Sequence, residues 1–462
     1  MTYYQKHLGR LLVKLDHLRT KHIRQRNFLI FVSFIIGLLS ALAAVFLKVL
    51  VGFVEHQAER LNNLMNSNWL TAIFPLIGVG ISLFMLVRVF KGRLNRGIGY
   101  VLKIILTEKG RMGVQHTFGH ILTSAVTVAM GGSVGLEAPI VATGSAIGSN
   151  TGHDLRMSYR NTTLLIACGA ASGIAAVFNS PIAGIIFALE VLLLDFNIPF
   201  FIPLLISTAT ATVVSQILYP EKFFVFNIES WDMSSLPFYI VLGALCGLIS
   251  VYTTNIVERI EHRFEKMPLN WKTWLKGSIP LCILIFIIPG LYGEGYSLIT
   301  SLLNGKTEPL VTHSFFAGLG NKHVAIIVMC LLIIFFKSFA SSLTIAAGGN
   351  GGVFAPSLII GGITGFLFSY LLNLTNYFHV KSPNFIVAGM AAVLAGVMHA
   401  PLTAIFLLAE ITGGYKLFIP LMIVTAISYF MTRKYKKHSL YHKTLIENNL
   451  IRKDYVSDED AI

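Results

Sequence analysis

The chain has 462 residues, of which 54% are apolar and only 13% charged, and its formal net charge is +14. A soluble domain of that length needs far more charge to cover its surface, so the composition excludes an ordinary soluble globular protein and points to a membrane protein. The basic excess flanks apolar segments rather than forming a domain of its own, which argues against a nucleic-acid partner.

In chain order, Thr2–Arg26 comes first, with Lys6, Arg10, Lys14, Arg19, Lys21, Arg24 and Arg26 set around Leu8, Leu11, Leu12, Leu15 and Leu18. That spacing predicts an amphipathic helix lying on the cytoplasmic membrane face, within a segment 1–27. The following apolar run, Phe28–Val54, starts too late and is too long for a signal peptide. It is read as membrane-spanning, as are Leu70–Phe90, Pro199–Leu218, Leu236–Ile256, Trp274–Pro289, Val324–Phe336 and Leu417–Met431. Leu164–Phe178, Pro181–Leu194 and Phe385–Val397 are shorter and interrupted by Gly or Pro. They predict tilted or half-spanning helices, tolerated only where buried in protein or lining a cavity. Tyr219–Ser235, with Pro220, Glu221, Lys222, Asn227, Glu229, Asp232 and Ser234, is the natural hinge. The tail carries Arg433, Lys434, Lys436, Lys437, Lys443, Arg452 and Lys453. Basic flanks stay inside, so a multi-pass protein of the cell membrane with both termini cytoplasmic is expected. The division is a first membrane repeat over 28–219, a connection over 220–235, a second repeat over 236–432 and a basic cytoplasmic tail over 433–462.

The two halves are related by duplication. GGSVGLEAP at 131–139 returns as GGNGGVFAP at 348–356, and the segment from Gly169 returns from Gly389. In the second pair Gly169/Gly389, Ala171/Ala391, Ala175/Ala395, Val177/Val397, Pro181/Pro401, Ile185/Ile405 and Glu190/Glu410 coincide. Both copies put a glycine-rich break inside membrane-type sequence, a pointer to a central transport site.

Each break leads through Ala-Pro into a helical pattern. Proline suits the first turn of a helix, and glycine lets backbone approach an ion closely. Exposed N–H groups at the positive end of the helix then form an anion site, and two such starts can face one anion. The alternative is a pair of kinks serving only tight helix packing. Glu137 lies inside the first break, where the second has Phe354. An ionised carboxylate there can take an anion position and leave it when protonated; a fixed helix cap is the other reading. Glu190 and Glu410, a matched pair, are read as structural. His399, opposite Asn179, is read as a capping or packing residue.

No enzyme constellation is found. Gly305-Lys306-Thr307 has Thr300 where a P-loop needs its leading glycine, and neither HExxH nor GxSxG occurs. Cys168, Cys246, Cys282 and Cys330 are scattered through apolar runs and read as packing residues. No metal and no cofactor is expected.

Together GLEAP, GGVFAP, FNSPIAGIIFALE, PLTAIFLLAEIT and SLYHKTL resemble the CLC family of chloride channels and chloride/proton antiporters, from about residue 30 to about residue 445. The resemblance implies an all-α polytopic membrane fold of two inverted-topology repeats with broken helices. It implies one anion pathway per subunit, a homodimer in the lipid bilayer, and chloride or another monovalent anion and protons as cargo. Glu137 matches the family's external gating glutamate, in GLEAP where GREGP is common. Gly135 and Leu136 belong to the same break. Gly352, Val353 and Phe354 match the loop whose N–H groups coordinate the central anion, and Tyr441 matches the tyrosine whose hydroxyl contacts it. The family's first anion loop usually reads GSGIP; here Asn95–Gly99 corresponds, with Arg96 at the serine position before Gly97 and Ile98. Arg96 either holds the anion, gates the inner mouth, or snorkels to water. The residue after Glu190 is Val191, where coupled members often carry an internal glutamate. A chloride/proton antiporter gated by Glu137 is the leading expectation. A passive anion channel and an anion-binding membrane protein with little flux are the alternatives.

Overall fold

The computed structural model describes residues 24–65, 69–107, 109–192, 200–220, 230–311 and 321–441. The expected N-terminal amphipathic helix up to residue 23, residues 221–229 of the expected connection, and the tail beyond Tyr441 lie outside the described residues. The first half contains α1 (Gln25–Met65), α2 (Trp69–Phe84), α3 (Ile98–Thr107), α4 (His116–Ala129), α5 (Glu137–Asp154), α6 (Tyr159–Phe178), α7 (Pro181–Phe187) and α8 (Phe201–Leu218). The second contains α9 (Leu236–Glu265), α10 (Trp271–Ile287), α11 (Tyr296–Leu303), α12 (Glu308–Val311), α13 (Lys322–Ala346), α14 (Phe354–Leu374), α15 (Ser382–Met398), α16 (Pro401–Ile411) and α17 (Phe418–Tyr435). Among the described residues the fold is all-α, and the only β-type pairing is an isolated antiparallel bridge between Gly135 and Gly352.

Seven helices among the described residues are long and apolar enough to cross a membrane: Gln25–Ala58, Thr71–Val89, Tyr159–Phe178, Phe201–Leu218, Met233–Glu265, Lys322–Ala346 and Phe354–Leu374. Large apolar side chains such as Phe31, Phe53, Phe84, Ile217 and Phe430 stand exposed on the outer helices. In water such a surface would drive aggregation; in a bilayer it meets acyl chains. α5, α6, α14 and α15 are almost wholly buried at the centre.

Packing follows the duplication. α5 lies on α6 as α14 lies on α15; α1 packs on α8 as α9 does on α17; α2 contacts α4 as α10 contacts α13. The halves join through α2 with α10 and α7 with α16. Close approach is set by glycine: a Cβ on Gly144 would strike the carbonyl of Gly169 and one on Gly169 the carbonyl of Gly144, and Gly361 with Gly389 repeat this relation. This explains a correction. Leu164–Phe178 was expected as a short, interrupted helix, yet α6 runs unbroken for 20 residues. Its glycines are contact points for a neighbouring backbone, not breaks.

A second correction concerns Val324–Phe336. The apolar run stops at Lys337, but α13 continues through it to Ala346, and Lys337 is fully buried at 0% exposure. Phe354–Leu374, not among the expected spans, is a 21-residue helix, because its opening Ala-Pro is a first-turn signal and its glycines again serve packing.

Glu190 and Glu410 do what paired structural residues should. Glu190 accepts from Leu402 N–H (3.1 Å), Thr403 N–H (2.8 Å) and the Thr403 hydroxyl (2.7 Å) at the start of α16. Glu410 accepts from Ile182 N–H (3.1 Å) and Ala183 N–H (2.8 Å) at the start of α7. Each carboxylate therefore satisfies orphan donors of a proline-led helix in the other half. Asn179 and His399 end α6 and α15 in the left-handed conformation, at φ 55° and 54°, as the capping reading anticipated. Val191 is buried in a π-helical turn, Ala188–Leu192, that follows α7.

Candidate functional site

The two glycine-rich breaks meet face to face. After α4 the chain turns at Gly131 (φ +85°), and Gly132 N–H returns to the Thr127 carbonyl at 2.8 Å. After α13, Gly349 N–H returns to the Thr344 carbonyl at 2.9 Å. The threonine hydroxyls then cross over. Thr344 Oγ1 accepts from Ser133 N–H (3.2 Å) and Thr127 Oγ1 accepts from Asn350 N–H (3.1 Å). Gly135 and Gly352 complete the junction by exchanging both backbone hydrogen bonds at 2.9 Å. A side chain is excluded at this point: a Cβ on Gly352 would lie 2.7 Å from that of Ala138, and one on Gly135 would lie 2.6 Å from that of Ala355.

α5 and α14 start immediately beyond, at Glu137 and Phe354. Their first intrahelical bonds are Ile140 N–H to Leu136 C=O (3.1 Å) and Ser357 N–H to Val353 C=O (3.0 Å). Proline at 139 and 356 has no N–H, so the donors without helical partners are those of the residues just before it. Two sets of such donors converge here, so the positive ends of both macrodipoles are directed at one point, a positive pocket in a buried setting.

Glu137 fills it. Its side chain is 1% exposed and folds back into the junction, against Gly135 and towards the N–H groups of Glu137 itself and Ala355. Oε1 accepts from the Tyr296 hydroxyl at 2.6 Å, whereas Oε2 is buried without a hydrogen bond of good geometry. A carboxylate is a monovalent anion on a tether, and this one stands where the two helix starts face each other.

The other expected site residues fall around this point. Phe354 is 1% exposed, with its ring 5.7 Å from that of Phe178, and Val353 is buried beside it. Tyr441 is buried, and its hydroxyl has no hydrogen-bond partner among the described residues. The Tyr441 backbone carbonyl borders Gly99, so the Arg96–Gly97–Ile98 loop and Tyr441 are brought together. Gly97 turns at φ +86°, and α3 starts from Ile98. Arg96 does not snorkel to water. Its Nη1 donates to the carbonyl of Ile345 (3.0 Å) and to that of Gly349, tying the first loop to the second break.

Sequence reading missed three ionisable residues beside Glu137 and the first break. Glu294 Oε1 accepts from Leu136 N–H at 3.0 Å. Tyr296 holds Glu137, and Lys337 Nζ donates to the carbonyls of Leu291 (3.2 Å) and Gly293 (2.8 Å). Lys337 was legible as a lone charge in an apolar helix; Glu294 and Tyr296 sit in a GEGY loop that nothing nearby marks. A further missed network is buried in α4: His116 Nδ1 lies 3.1 Å from His120 Nε2, and His120 Nδ1 lies 3.2 Å from Asn350 Nδ2. The HTFGH spacing puts both rings on one helix face, His116 at the first residue of α4 and His120 one turn on.

Comparison with known proteins agrees with this architecture. Residues 79–433 match the family model described as voltage gated chloride channel. The H(+)/Cl(-) exchange transporter ClcA of Vibrio cholerae is 29% identical over 337 residues, covering 70% of this chain and 68% of the relative. ClcA of Klebsiella pneumoniae is 30% identical over 346 residues, covering 71% and 68%. A slow cyanobacterial Cl-/H+ antiporter superposes with a TM-score of 0.72 at 20% identity, covering 94% of this chain and 100% of its own. A CLC-type fluoride/proton antiporter does so with 0.74 at 23%, covering 90% and 97%. With its duplicated helix starts, its buried glutamate and a family match over most of its length, the chain belongs to the voltage-gated chloride channel family, the CLC family.

Proposed function

We propose that the protein is a chloride/proton antiporter of the cell membrane in which Glu137 serves both ions. Ionised, its carboxylate takes the place of an anion between the starts of α5 and α14. Protonated, it loses its attraction to the helix dipoles, leaves, and carries its proton while chloride enters. The observation that carries this reading is the Glu137 side chain, buried in the junction and turned towards the N–H groups of Glu137 and Ala355 at the two helix starts. The exchange activity named for the ClcA relatives supports it.

The anion path in this proposal runs past Gly135, Leu136, Gly352, Val353 and Phe354, whose backbone lines the junction. On the cytoplasmic side it passes Gly97, Ile98 and the Tyr441 hydroxyl. Arg96 adds positive charge there through Nε and Nη2, since Nη1 is engaged by carbonyls. Both termini are cytoplasmic by their basic flanks. The repeats are 28–219 and 236–432, joined by 220–235, with 1–27 and 433–462 on the cytoplasmic face. The assembly is a homodimer. Ile182, Leu205, Leu402, Ile419 and Met422 on α7, α8, α16 and α17 are exposed, and they supply an apolar face for the second copy. Other monovalent anions share the site's chemistry.

A passive channel is the second reading, favoured by one observation: Val191, an apolar side chain, is buried where coupled relatives of the family often place an inner glutamate. One experiment separates the readings. Purified protein is placed in chloride-loaded liposomes, and chloride efflux and external pH are recorded together for wild type and Glu137→Gln. Uphill proton uptake driven by chloride and lost in the variant establishes the antiporter. Chloride flux without proton movement makes the protein a channel, and binding without flux makes it neither.

A further inference from the structure

Lys337 is an ionisable side chain buried in the middle of a membrane-spanning helix, and such a residue needs a reason. Its ammonium grips the carbonyls of Leu291 and Gly293 and so fixes the loop between α10 and α11. That loop is also tied to the first break, since Gly293 N–H donates to the Gly131 carbonyl at 3.1 Å. From this anchored loop and the first residue of α11 two side chains reach the junction. Tyr296 holds Glu137, and Glu294 takes the Leu136 N–H. Glu294 is only partly buried and interacts electrostatically with Glu137, Lys337 and Glu55. Eight residues of α13, about 12 Å of helix, separate Lys337 from the Ile345 carbonyl that binds Arg96. The loop that carries Glu294 is thus anchored about two turns of α13 away from the Arg96 contact, and in the proposed topology, with Arg96 on the cytoplasmic side, it belongs to the external side.

The geometry points to Glu294 as a second gating carboxylate. It occupies the Leu136 amide as an anion mimic, and an anion arriving from outside must displace it before reaching Glu137. This inference rests on the antiport reading and adds an outer step to it. The Leu136 N–H is one of the few donors of the first break, and a carboxylate already sits on it. Lys337 keeps the displaced carboxylate close and balances the charge of the anion that replaces it. The two carboxylates repel each other, so protonation of either eases the other's stay, and external acidification favours entry by neutralising Glu294. The groups that face Glu294 and shape that dependence are Glu137, Tyr296, Lys337 and Glu55.

The alternative is a fixed cap that only stabilises the start of α5. Glu294→Gln separates the two, because glutamine keeps the shape and can still accept from Leu136. For a gate, removing the charge tightens chloride binding to the purified protein, measured by isothermal titration calorimetry, by several-fold and up to about tenfold, the size of one charge-assisted hydrogen bond lost to the competitor. In liposomes the half-saturating external chloride falls while the internal one does not. In a Glu137→Gln background the remaining chloride flux still rises with external acidification, and in the double variant it does not. Unchanged chloride affinity in Glu294→Gln together with a lowered melting temperature would overturn the proposal in favour of the cap. The calorimetric result stands even if no flux is seen, so failure of the antiport reading and failure of the outer gate are told apart. Should Glu294→Gln not fold, Glu294→Asp, which keeps the charge but shortens the reach, is expected to show the same tightening in weaker form, and wild-type affinity in it would count against the gate.

Discussion

Tyr296 donates its hydroxyl to Glu137 Oε1 across 2.6 Å, and this bond holds the carboxylate inside the junction rather than above it. A hydrogen bond to a charged group contributes about 1.5–3 kcal/mol, part of which water recovers once the tyrosine oxygen is gone. In Tyr296→Phe the carboxylate is held less firmly and yields sooner to an anion. Chloride turnover in liposomes is expected to rise by about threefold to tenfold, with proton coupling retained because Glu137 is intact. An unaltered turnover would mean that the exit of Glu137 is not what limits the cycle.

Arg96 links Asn95–Gly99 to the carbonyls of Ile345 and Gly349. Arg96→Ser removes a positive charge and leaves two carbonyls short of a donor, at a cost of about 1–3 kcal/mol of stability. If its guanidinium also attracts the anion, chloride affinity falls alongside. Calorimetric titration of Arg96→Ser decides this, and a stability loss with unchanged affinity would make Arg96 a strut between the loops and nothing more.

Helix contacts through glycine make a sharper contrast. Gly144 and Gly169 touch backbone to backbone between α5 and α6, whereas Gly52 in α1 has nothing within 4 Å of where a Cβ would stand. Gly144→Ala is expected to lose about 1–3 kcal/mol through forced separation of the two helices. Gly52→Ala should instead stabilise by about 0.5–1 kcal/mol, because alanine loses less backbone freedom in a helix. Melting temperatures in detergent, compared on the same preparation, test both signs at once.

The glutamates that cap the opposite half should behave as a pair. Glu190→Gln and Glu410→Gln each weaken a cap, at about 0.5–2 kcal/mol apiece. The loss should be larger for Glu190, which also holds the Thr403 hydroxyl. Their effects should add, since they sit at separate helix starts. Anion flux at a temperature where both variants are folded should match wild type; a selective loss of proton coupling in Glu190→Gln would show that this side chain takes part in proton movement.

What the sequence discloses depends on where the physics is local. The breaks at 131–139 and 348–356 are legible because glycine, alanine and proline are demanded by backbone geometry at those positions, twice over. Glu137 is legible because its carboxylate sits inside such a break. Lys337 misleads: a hydropathy run treats it as the end of a span, while the folded chain satisfies its ammonium with two carbonyls of a distant loop. Glu294 and Tyr296 are silent for the same reason, since their meaning comes from Leu136 and Glu137, more than 150 positions away. His116 and His120 carry a readable spacing, but only the fold brings Asn350 to them.

The crossed caps of Glu190 and Glu410 have a consequence for how such a chain can be assembled. Neither half finishes its own short helix: α7 is completed by a residue of α16, and α16 by one following α7. A single copy of the unit would leave those donors open and would find its missing carboxylate only on a second copy lying antiparallel to it. The covalent link through 220–235 makes permanent a contact that two separate copies could have formed by themselves. It follows that a chain cut within 221–229 and produced as two pieces has, in these two glutamates, the means to recognise and close upon its other part.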